Sequence, residues 1–298
     1  MLIFWIKLYF LPVKKMELPD VIIVSSISLL PILNAFNYKS RLNKKPKIIL
    51  EVRDIWPLSL IELGGFSKYN PFVLFLSWVE KSAYMNCDYV TSVLPLAYKH
   101  FDSIAGKKVP FKHISNGIHV ESLQNIESIG EEIEALIPKN RFIIGYTGAI
   151  GVANAMEYFV DTAISLKDDI SICFVIVGDG YMLDSLKIKS KGLDNIVFID
   201  RINKRQVQSI LQKFDLLYIG WHNLDLYKFG ISANKIFDYM YGGKPIIHSV
   251  NAYNDPIKEA NCGLSVAAED PTAIVNAILQ LKEKSAVERN DIGNRGKE

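Results

Sequence analysis

The stretch Phe229–Ile247, FGISANKIFDYMYGGKPII, places polar residues at the start of an apolar helical pattern. A helix beginning near Ala233 or Asn234 leaves its first backbone N–H groups unpaired, and such an end binds anions. Ser232 is a residue type that caps helix N-termini. Lys235 is unfavourable in a first turn because it adds charge to the positive end of the helix dipole. We therefore expect Lys235 to meet an anionic ligand; a surface lysine on a tolerant helix is the alternative.

Two glycines and two basic residues follow other strand-like runs. Gly148 and Gly151 flank a turn that opens a helix, where a missing side chain lets the backbone approach a phosphate. A plain tight turn explains them nearly as well. Arg201 and Lys204 are further candidates, with Arg201 stacking on a base or pairing with phosphate. A surface salt bridge is the competing interpretation of Arg201.

Asp54 lies at the end of another strand-like run and precedes Ile55, Trp56 and Pro57. A carboxylate there can accept a hydrogen bond from a hydroxyl of a ligand. The structural alternative is that Asp54 caps the segment after Pro57 or pairs with Arg53.

The elements that must position these residues alternate along the chain. Short β-branched runs separated by helical patterns predict right-handed βαβ units on parallel sheets, with ligands outside the carboxyl ends of the strands. The predicted strands cover residues 20–26, 46–54, 87–93, 112–118, 142–151, 171–180, 195–202, 214–221, 244–250 and 262–270.

Helix-length patterns fill the intervals. They cover residues 29–42, 71–85, 96–104, 155–166, 182–191, 204–213, 233–241, 256–260 and 271–283, and the acidic stretch 126–139 is a helix or a linker. We predict an α/β chain of two doubly wound, Rossmann-like domains facing a cleft, with a boundary between residues 138 and 139.

The composition bears on the class of protein and on its possible ligands. The 298 residues are 49% hydrophobic and 22% charged, which predicts a folded chain, and the net charge of +2 does not favour a nucleic-acid partner. The cysteines are far apart and the histidines show no ligand spacing, so we predict a reducing, cytoplasmic compartment and no metal.

Two segments bear on membranes. Residues 1–15, MLIFWIKLYFLPVKK, are too short to span a bilayer; a buried helix is favoured and a membrane-surface helix is the alternative. Residues 36–47 collect five lysines and arginines beside Phe36 and Tyr38. That segment is either a solvated loop or a patch for anionic lipid headgroups.

Taken together, the motifs resemble a known family. YTGAIG, FVIVGDG, NIVFIDRI, FDLLYIGW and SANKIFDYMYGGKPII, in this order, resemble the C-terminal domain of GT-B glycosyltransferases of family 4. LEVRDIWPLSLIELG, WVEKSAYMNCDYVTSV and HISNGI resemble the N-terminal domain of its O-antigen and capsule branch, which is similar to N-acetyl-L-fucosamine transferases.

The resemblance implies a retaining transfer of a sugar, without a metal or other cofactor, from a nucleotide diphosphate sugar to an acceptor. UDP is the nucleotide that the family favours. The acceptor is often a lipid-linked saccharide at the inner membrane face, so a peripheral membrane location is implied. It also places the nucleotide on residues 139–298 and the acceptor on residues 1–138, where Glu62 and Glu80 could line the acceptor side.

The chain departs from the family at several positions. Where many members carry a spaced pair of glutamates, this sequence has Gly230 and Asp238, of which only Asp238 can accept hydrogen bonds from a ribose. Where many carry an arginine and a lysine to hold the diphosphate, it has Ala149 and Asn154, so the cationic charge must come from elsewhere.

The resemblance also implies roles for the residues that open the helix. The run 233–235 replaces part of the missing contact set, so Ser232 and Asn234 are nucleotide-binding candidates and Lys235 is expected to meet the diphosphate. It further implies that Asp54 accepts a hydrogen bond from the acceptor hydroxyl or orients the donor sugar.

The family usually opens with further strand and helix units, so we expect an incomplete N-terminal domain and weak or no transfer by this chain alone. A non-catalytic nucleotide-binding remnant is one alternative function. A UDP-sugar 2-epimerase is another, and it would need acid–base groups such as His119, His222 or His248.

Overall fold

The chain forms two compact units in a computed structural model, which describes residues 2–10, 17–25, 28–118 and 125–298. Unit 1 comprises Met1–Ser115 and Leu224–Ser232, and unit 2 comprises Asn116–Asn223 and Ala233–Glu298. This division differs from the single boundary expected after residue 138 in two ways: the chain passes from unit 1 to unit 2 after Ser115, and a short segment of its second half belongs to unit 1.

Hydrogen bonds explain why that segment joins unit 1. The backbone N–H of Leu226 donates to a carboxylate oxygen of Glu62 at 2.8 Å, and the N–H of Leu96 donates to the carbonyl of Phe229 at 2.9 Å. Residues Asp225–Phe229 form a 3₁₀ helix whose polar backbone is thus paired within unit 1.

The described part of unit 1 contains a parallel sheet of four strands in the order β1-β2-β3-β4. The strands are β1 (Val21–Ser25), β2 (Lys47–Val52), β3 (Tyr89–Ser92) and β4 (Phe111–His113). The helices are α1 (Leu2–Tyr9), α2 (Pro31–Arg41), α3 (Leu58–Glu62), α4 (Pro71–Asn86) and α5 (Ala97–Ala105).

The two faces of this sheet differ in burial. Leu50 and Val90 are neighbours in the ladder and are fully buried, as is Ile48. On the opposite face Ile23 and Tyr89 flank Ile49 in one row and are 67% and 56% exposed. Right-handed crossovers between sequentially ordered strands put every connecting helix on one face, which accounts for this asymmetry. The predicted doubly wound order is therefore not seen among the described strands of unit 1.

The structure corrects the expectation that the N-terminal segment is a buried helix. Helix α1 forms, and the side-chain amide of Asn34 donates to the carbonyl of Trp5. Ile3, Phe4 and Phe10 are nevertheless exposed, because a helix of two turns packs along only one stripe. The chain contains no described helix that is long and apolar enough to cross a membrane.

The basic segment 36–47 is largely paired. Lys39 and Lys47 both donate to the carboxylate of Asp88, at 2.8 and 2.9 Å, and Lys44 pairs with Asp20. The two lysines and the backbone N–H of Ile48 hold the pKa of the Asp88 carboxyl well below its ordinary value. Two aspartates thus offset much of the charge that suggested a lipid-binding patch.

The described part of unit 2 contains a parallel sheet of six strands in the order β10-β9-β8-β5-β6-β7. The strands are β5 (Phe142–Thr147), β6 (Ile172–Val177), β7 (Ile196–Ile199), β8 (Leu216–Gly220), β9 (Ile246–Ser249) and β10 (Gly263–Val266). The order reverses between β5 and β8, so this sheet is doubly wound, as predicted, with a switch point at the carboxyl end of β5.

The helices of unit 2 cover both faces of that sheet's apolar strands. They are α6 (Glu131–Glu134), α7 (Met156–Ser165), α8 (Leu183–Lys189), α9 (Val207–Leu211), α10 (Asn234–Gly242), α11 (Pro256–Glu259), α12 (Pro271–Lys282) and α13 (Ala286–Asn294). Every residue of β6 and β8 is buried, which is why these runs read as continuously apolar.

Each strand that the sequence predicts is present, although most end earlier than the apolar run. The predicted helix 204–213 is a 3₁₀ turn, Lys204–Gln206, followed by α9. Helices α3 and α13 were not predicted. The signal for α13 is readable in retrospect, since Ser285 and Glu288 form a capping box.

One residue expected on the acceptor side is structural. Glu80 on α4 is 2% exposed. Its carboxylate lies 2.7 Å from Nε2 of His100 and accepts a hydrogen bond from the hydroxyl of Tyr84 at 3.1 Å. The expectation that Glu80 lines an acceptor surface is therefore wrong, because its carboxylate is used inside the core.

We expect Glu80→Ala to destabilise the protein by about 1–3 kcal/mol, because it leaves polar groups of Tyr84 and His100 buried without a partner. Glu80→Gln keeps an acceptor oxygen and should lose less. Urea denaturation of both variants measures this difference. An Ala variant as stable as the parent would show that the buried carboxylate contributes nothing.

Candidate active site

A cavity of about 460 Å³ lies in unit 2 at the carboxyl ends of β5, β6 and β7. This is the edge of a doubly wound sheet at which ligands bind. The lining residues come from those strand ends and from α9 and α10. They are Thr147, Gly148, Ala149, Val177, Gly178, Asp179, Arg201, Ile202, Lys204, Val207, Lys235, Asp238 and Tyr239.

Lys235 is held in this cavity by neutral groups. Its ammonium donates to the hydroxyl of Tyr146 at 2.6 Å and to the side-chain oxygen of Asn154 at 2.9 Å. The Tyr146 hydroxyl and the Asn154 amide both donate to the carbonyl of Ala149, at 2.6 and 3.0 Å. This network fixes the lysine at the point where β5 turns toward the next helix.

The same surroundings make the charge of Lys235 costly. Burial lowers the pKa of Lys235 from its ordinary value to about 7, although its nitrogen lies 3.9 Å from the centroid of the Tyr146 ring. The cation–π contact and two neutral hydrogen bonds therefore do not replace the lost hydration. An anion entering the cavity would stabilise the charged form.

Two glycines make room for this arrangement. A Cβ on Gly148 would lie 2.9 Å from Cε of Lys235 and 3.0 Å from its Nζ, and Gly148 has a φ of +143°. A Cβ on Gly178 would lie 1.9 Å from the carbonyl oxygen of Gly148. The turns after β5 and β6 thus approach each other closely, and glycine at both positions permits it.

Helix α10 is anchored to the sheet and to its neighbour. The backbone N–H of Thr147 donates to the Tyr239 hydroxyl at 2.6 Å. The side chains of Gln208 on α9 and of Gln212, its C-cap, donate to the carbonyls of Asp238 and Gly242 at 2.9 and 2.8 Å. These contacts fix the position and rotation of α10, and hence the direction of Lys235.

The mouth of the cavity carries the other charged candidates. Lys204 forms an ion pair with Asp238, in which the lysine side chain is 67% exposed. Such an exposed pair contributes about 0–1 kcal/mol, so a ligand can replace either partner at low cost. Arg201 lines the cavity, is exposed, and has no ion-pair partner within the part of the chain that the structure describes.

Other predicted residues are not brought into the cavity. Ser232 is not the N-cap of α10, since Ala233 occupies that position with an extended backbone and without a side-chain cap. Asn234 is the first helical residue and is exposed. Neither they nor Gly151 lines the cavity.

The described histidines that were proposed as acid–base groups of an epimerase do not line the cavity. His248 is fully buried between Asp255 and the indole N–H of Trp221, at 2.7 and 2.9 Å, and His222 lies 2.7 Å from Glu269. His119 lies outside the described residues. Neither described histidine lines the cavity, and no group of described His, Cys, Asp or Glu side chains could hold a metal.

Asp54 belongs to unit 1, where it follows β2. It does not cap α3, whose N-cap is Pro57 and which has no side-chain cap. Part of Asp54 is exposed, but the surrounding protein desolvates its carboxyl and raises the pKa of Asp54, which Arg53 opposes. Burial also raises the pKa of Tyr227 to about 12, and the charges of Glu62 and Asp54 add to that shift. These residues therefore form one acidic cluster within unit 1.

Sequence reasoning missed the groups that hold Lys235. Tyr146 looked like an ordinary strand residue, and Asn154 was noted only as the replacement of a lysine. The structure explains that replacement, because the ammonium of Lys235 lies at the side chain of Asn154. Lys235 of α10 thus places an ammonium group beside the residue that stands in the expected lysine position.

Residues 141–284 match a family model described as Glycosyl transferases group 1. The matched residues belong to unit 2 except for residues 224–232, which belong to unit 1. Over these residues the chain is therefore similar to the glycosyltransferases of group 1. No curated protein sequence matches the chain.

Solved structures of glycosyltransferases share the fold. Sucrose-phosphate synthase from Thermosynechococcus elongatus is 16% identical, with 98% of this chain and 70% of that chain covered and a TM-score of 0.73. Anabaena HepE in complex with UDP-glucose is 14% identical over 93% of this chain and 72% of that chain, with a TM-score of 0.67. WaaG, described as a glycosyltransferase involved in lipopolysaccharide biosynthesis, is 11% identical over 95% and 83%, with a TM-score of 0.64. The fold is that of the GT-B glycosyltransferases.

We expect Lys235→Met to stabilise the unliganded protein by about 1–2 kcal/mol near pH 6.5, since the desolvation cost of the charge exceeds the two hydrogen bonds lost. The folded-state pKa of about 7 lies below the ordinary value of 10.5. The unfolded chain therefore binds more protons between these values, and the wild type gains stability as the pH rises through that window. The advantage of the variant should shrink accordingly.

Thermal unfolding at about pH 6.5 and pH 9.5 tests this expectation, with the exposed Lys191→Met as the matched control. The control should show no comparable difference between the two pH values. A loss of stability in Lys235→Met at both would mean that Lys235 is a structural residue.

Proposed function

We propose that this chain, of which residues 141–284 match the Glycosyl transferases group 1 model, is a retaining glycosyltransferase. It takes a sugar from a nucleotide diphosphate sugar, with UDP as the nucleotide, and transfers it to a lipid-linked saccharide in the synthesis of a surface polysaccharide. The observation that carries the proposal is the desolvated Lys235 ammonium in the cavity at the switch point of that domain.

The diphosphate of the donor occupies the part of the cavity beside Lys235. Its negative charge stabilises the lysine ammonium, and the ammonium in turn stabilises the charge that develops on the leaving diphosphate. Gly148 leaves its backbone accessible beside the lysine. No metal is needed for this step in the proposal, because the ammonium supplies the positive charge.

The nucleoside half of the donor extends to the mouth of the cavity. Asp238 accepts hydrogen bonds from the ribose and releases Lys204, which then faces the solvent or a phosphate. Arg201 is free to stack on the base, since its guanidinium is planar and exposed.

The acceptor meets unit 1, where Asp54 is the proposed positioning group for its hydroxyl. The acceptor oxygen forms a bond to the anomeric carbon as the bond from that carbon to the diphosphate breaks. The hydroxyl proton passes to the departing diphosphate oxygen on the same face of the sugar. No protein nucleophile is assigned. The raised pKa of Asp54 suits a carboxyl that exchanges hydrogen bonds with a hydroxyl rather than one fixed in an ion pair.

Support for the lipid-linked acceptor and for a peripheral place on the inner membrane face comes from the motif resemblance in residues 50–64 and 78–93. Among the proteins that share the fold, WaaG is involved in lipopolysaccharide biosynthesis. HepE has been crystallised with UDP and with UDP-glucose. A nucleotide-binding chain without transferase activity is the outcome that would limit the proposal.

We expect calorimetric titration to show saturable UDP binding whose affinity falls as the pH rises from about 6.5 to 9, because Lys235 loses its charge in the free protein near pH 7. Binding should raise the pKa of Lys235 and take up protons, so the measured heat near pH 8 should depend on the ionisation enthalpy of the buffer.

Lys235→Ala should bind UDP about 10–100-fold more weakly, with little pH dependence in this range. Lys191→Ala is the control and should titrate like the parent. If the folded wild type does not bind UDP at any of these pH values, the nucleotide assignment fails.

Asp54→Asn should lower the turnover number for UDP release from UDP-glucose or UDP-N-acetylglucosamine by about 10–100-fold, while the UDP affinity changes less than about threefold. The reason is that Asn keeps the size of the side chain but cannot accept hydrogen bonds through a charged oxygen. Release of UDP is followed in a coupled assay after a wild-type screen of the two donors. An unchanged turnover number would remove Asp54 from the mechanism, and no release by the wild type would favour a non-catalytic nucleotide-binding chain.

A further inference from the structure

Helix α4 of unit 1 is apolar on both of its faces. Val73, Leu76 and Val79 face the core and are almost fully buried. The outer face carries large apolar side chains at helical spacing, and two of them, Leu74 and Trp78, are 54% and 59% exposed. The exposed set on this helix is Phe72, Leu74, Phe75, Trp78 and Met85, which we call the outer face of α4.

The segment before the helix also has exposed aromatic side chains. Phe66 and Tyr69 are exposed, and Asn70 caps the helix by accepting from the N–H of Phe72 at 2.9 Å. The rings of Phe75 and Trp78 stack with centroids 6.1 Å apart. A run of aromatic side chains so exposed is unusual on the surface of a protein that has no partner there.

The charge of this surface has one sign. Lys81 lies on the outer face of α4, and Lys68 lies before the helix with its nitrogen 5.1 Å from the centroid of the Tyr69 ring. Between residues 63 and 86 the only carboxylate is that of Glu80, which is buried and occupied by His100 and Tyr84. No acidic side chain of this segment therefore offsets the two lysines.

The lack of acidic partners distinguishes the lysines of this surface from those of the basic segment 36–47. There Lys39 and Lys47 share Asp88, and Lys44 pairs with Asp20. Lys81 on α4 and Lys68 before it lie among aromatic side chains with no exposed carboxylate in the segment 63–86, the composition of helices that lie in the plane of a membrane interface. Aromatic side chains favour that interface, and long lysine side chains reach its headgroups.

We propose that the outer face of α4, with Phe66, Lys68, Tyr69 and Lys81, binds the surface of an anionic lipid bilayer. The aromatic side chains enter the boundary between headgroups and acyl chains, and the lysines contact anionic headgroups. A second copy of the chain is the other apolar partner to consider. An isologous dimer on this face would bring together lysines of both copies without any exposed carboxylate of the same segment, so charge complementarity favours lipid.

Sedimentation with vesicles tests the proposal without using catalytic activity. The full chain should bind phosphatidylcholine vesicles containing about 30% phosphatidylglycerol, and binding should weaken at high salt and be slight on pure phosphatidylcholine vesicles. Phe75→Ser with Trp78→Ser, and separately Lys68→Glu with Lys81→Glu, should each reduce the partition coefficient at least about tenfold.

The matched controls are Tyr253→Ser and Lys191→Glu, which change an exposed aromatic residue and an exposed lysine of unit 2 and should bind vesicles like the parent. All variants should keep the parental UDP affinity, so a failure of this proposal is distinguishable from a failure of the proposed function. Circular dichroism establishes that each variant is folded.

Three results would overturn the assignment. The folded wild type could fail to bind anionic vesicles, or the variants of α4 could bind them as well as the parent does. Analytical ultracentrifugation could also show a dimer that Phe75→Ser with Trp78→Ser dissociates, which would assign the face to a second copy.

Discussion

The desolvation of one ammonium group is the constraint on which the site in unit 2 depends. Lys235 contacts a tyrosine hydroxyl, an amide oxygen and an aromatic ring, none of which carries a negative charge. Holding it there requires glycine at position 148, the turn that carries Asn154, and a helix α10 that cannot rotate. The hydrogen bonds of Tyr239 to β5 and of α9 to α10 meet that last requirement.

The features of the fold and site that depend on neighbouring residues could be predicted from the sequence, and those that depend on contacts between distant residues could not. The strands and the carboxyl edge of the sheet were predicted because apolar runs and turn residues are local signals. Lys235 was predicted from its conflict with the helix dipole. Tyr146 and Asn154 were not, because their contact with Lys235 joins residues far apart in sequence through the position of α10 on the sheet. Ser232 failed as a cap because the extended backbone comes one residue later, at Ala233.

Unit 1 shows a second limit of local patterns. The sequence predicted its strands but not that residues 224–232 return to it, since the bond from the N–H of Leu226 to Glu62 has no local signature. Nor did helical spacing distinguish the buried side of α4 from its exposed aromatic side, because both are apolar. Burial is decided by which face the neighbouring elements cover, and a strand order that runs in one direction covers only one face of the sheet.

The two kinds of lysine in this chain show what makes a cation available to a ligand. Lys39 and Lys47 share a carboxylate, and a phosphate that recruited them would leave Asp88 without its partners, with its pKa no longer depressed. Among the described residues the hydrogen-bond partners of Lys235 are neutral, so an anionic ligand could approach it without displacing an anion. In the empty protein, burial destabilises the charged form of Lys235, and the lowered pKa of the lysine reflects this. A bound anion would stabilise the charged form and raise that pKa. A cavity built in this way favours anions, because a bound anion removes the desolvation cost that the ammonium imposes on the empty protein.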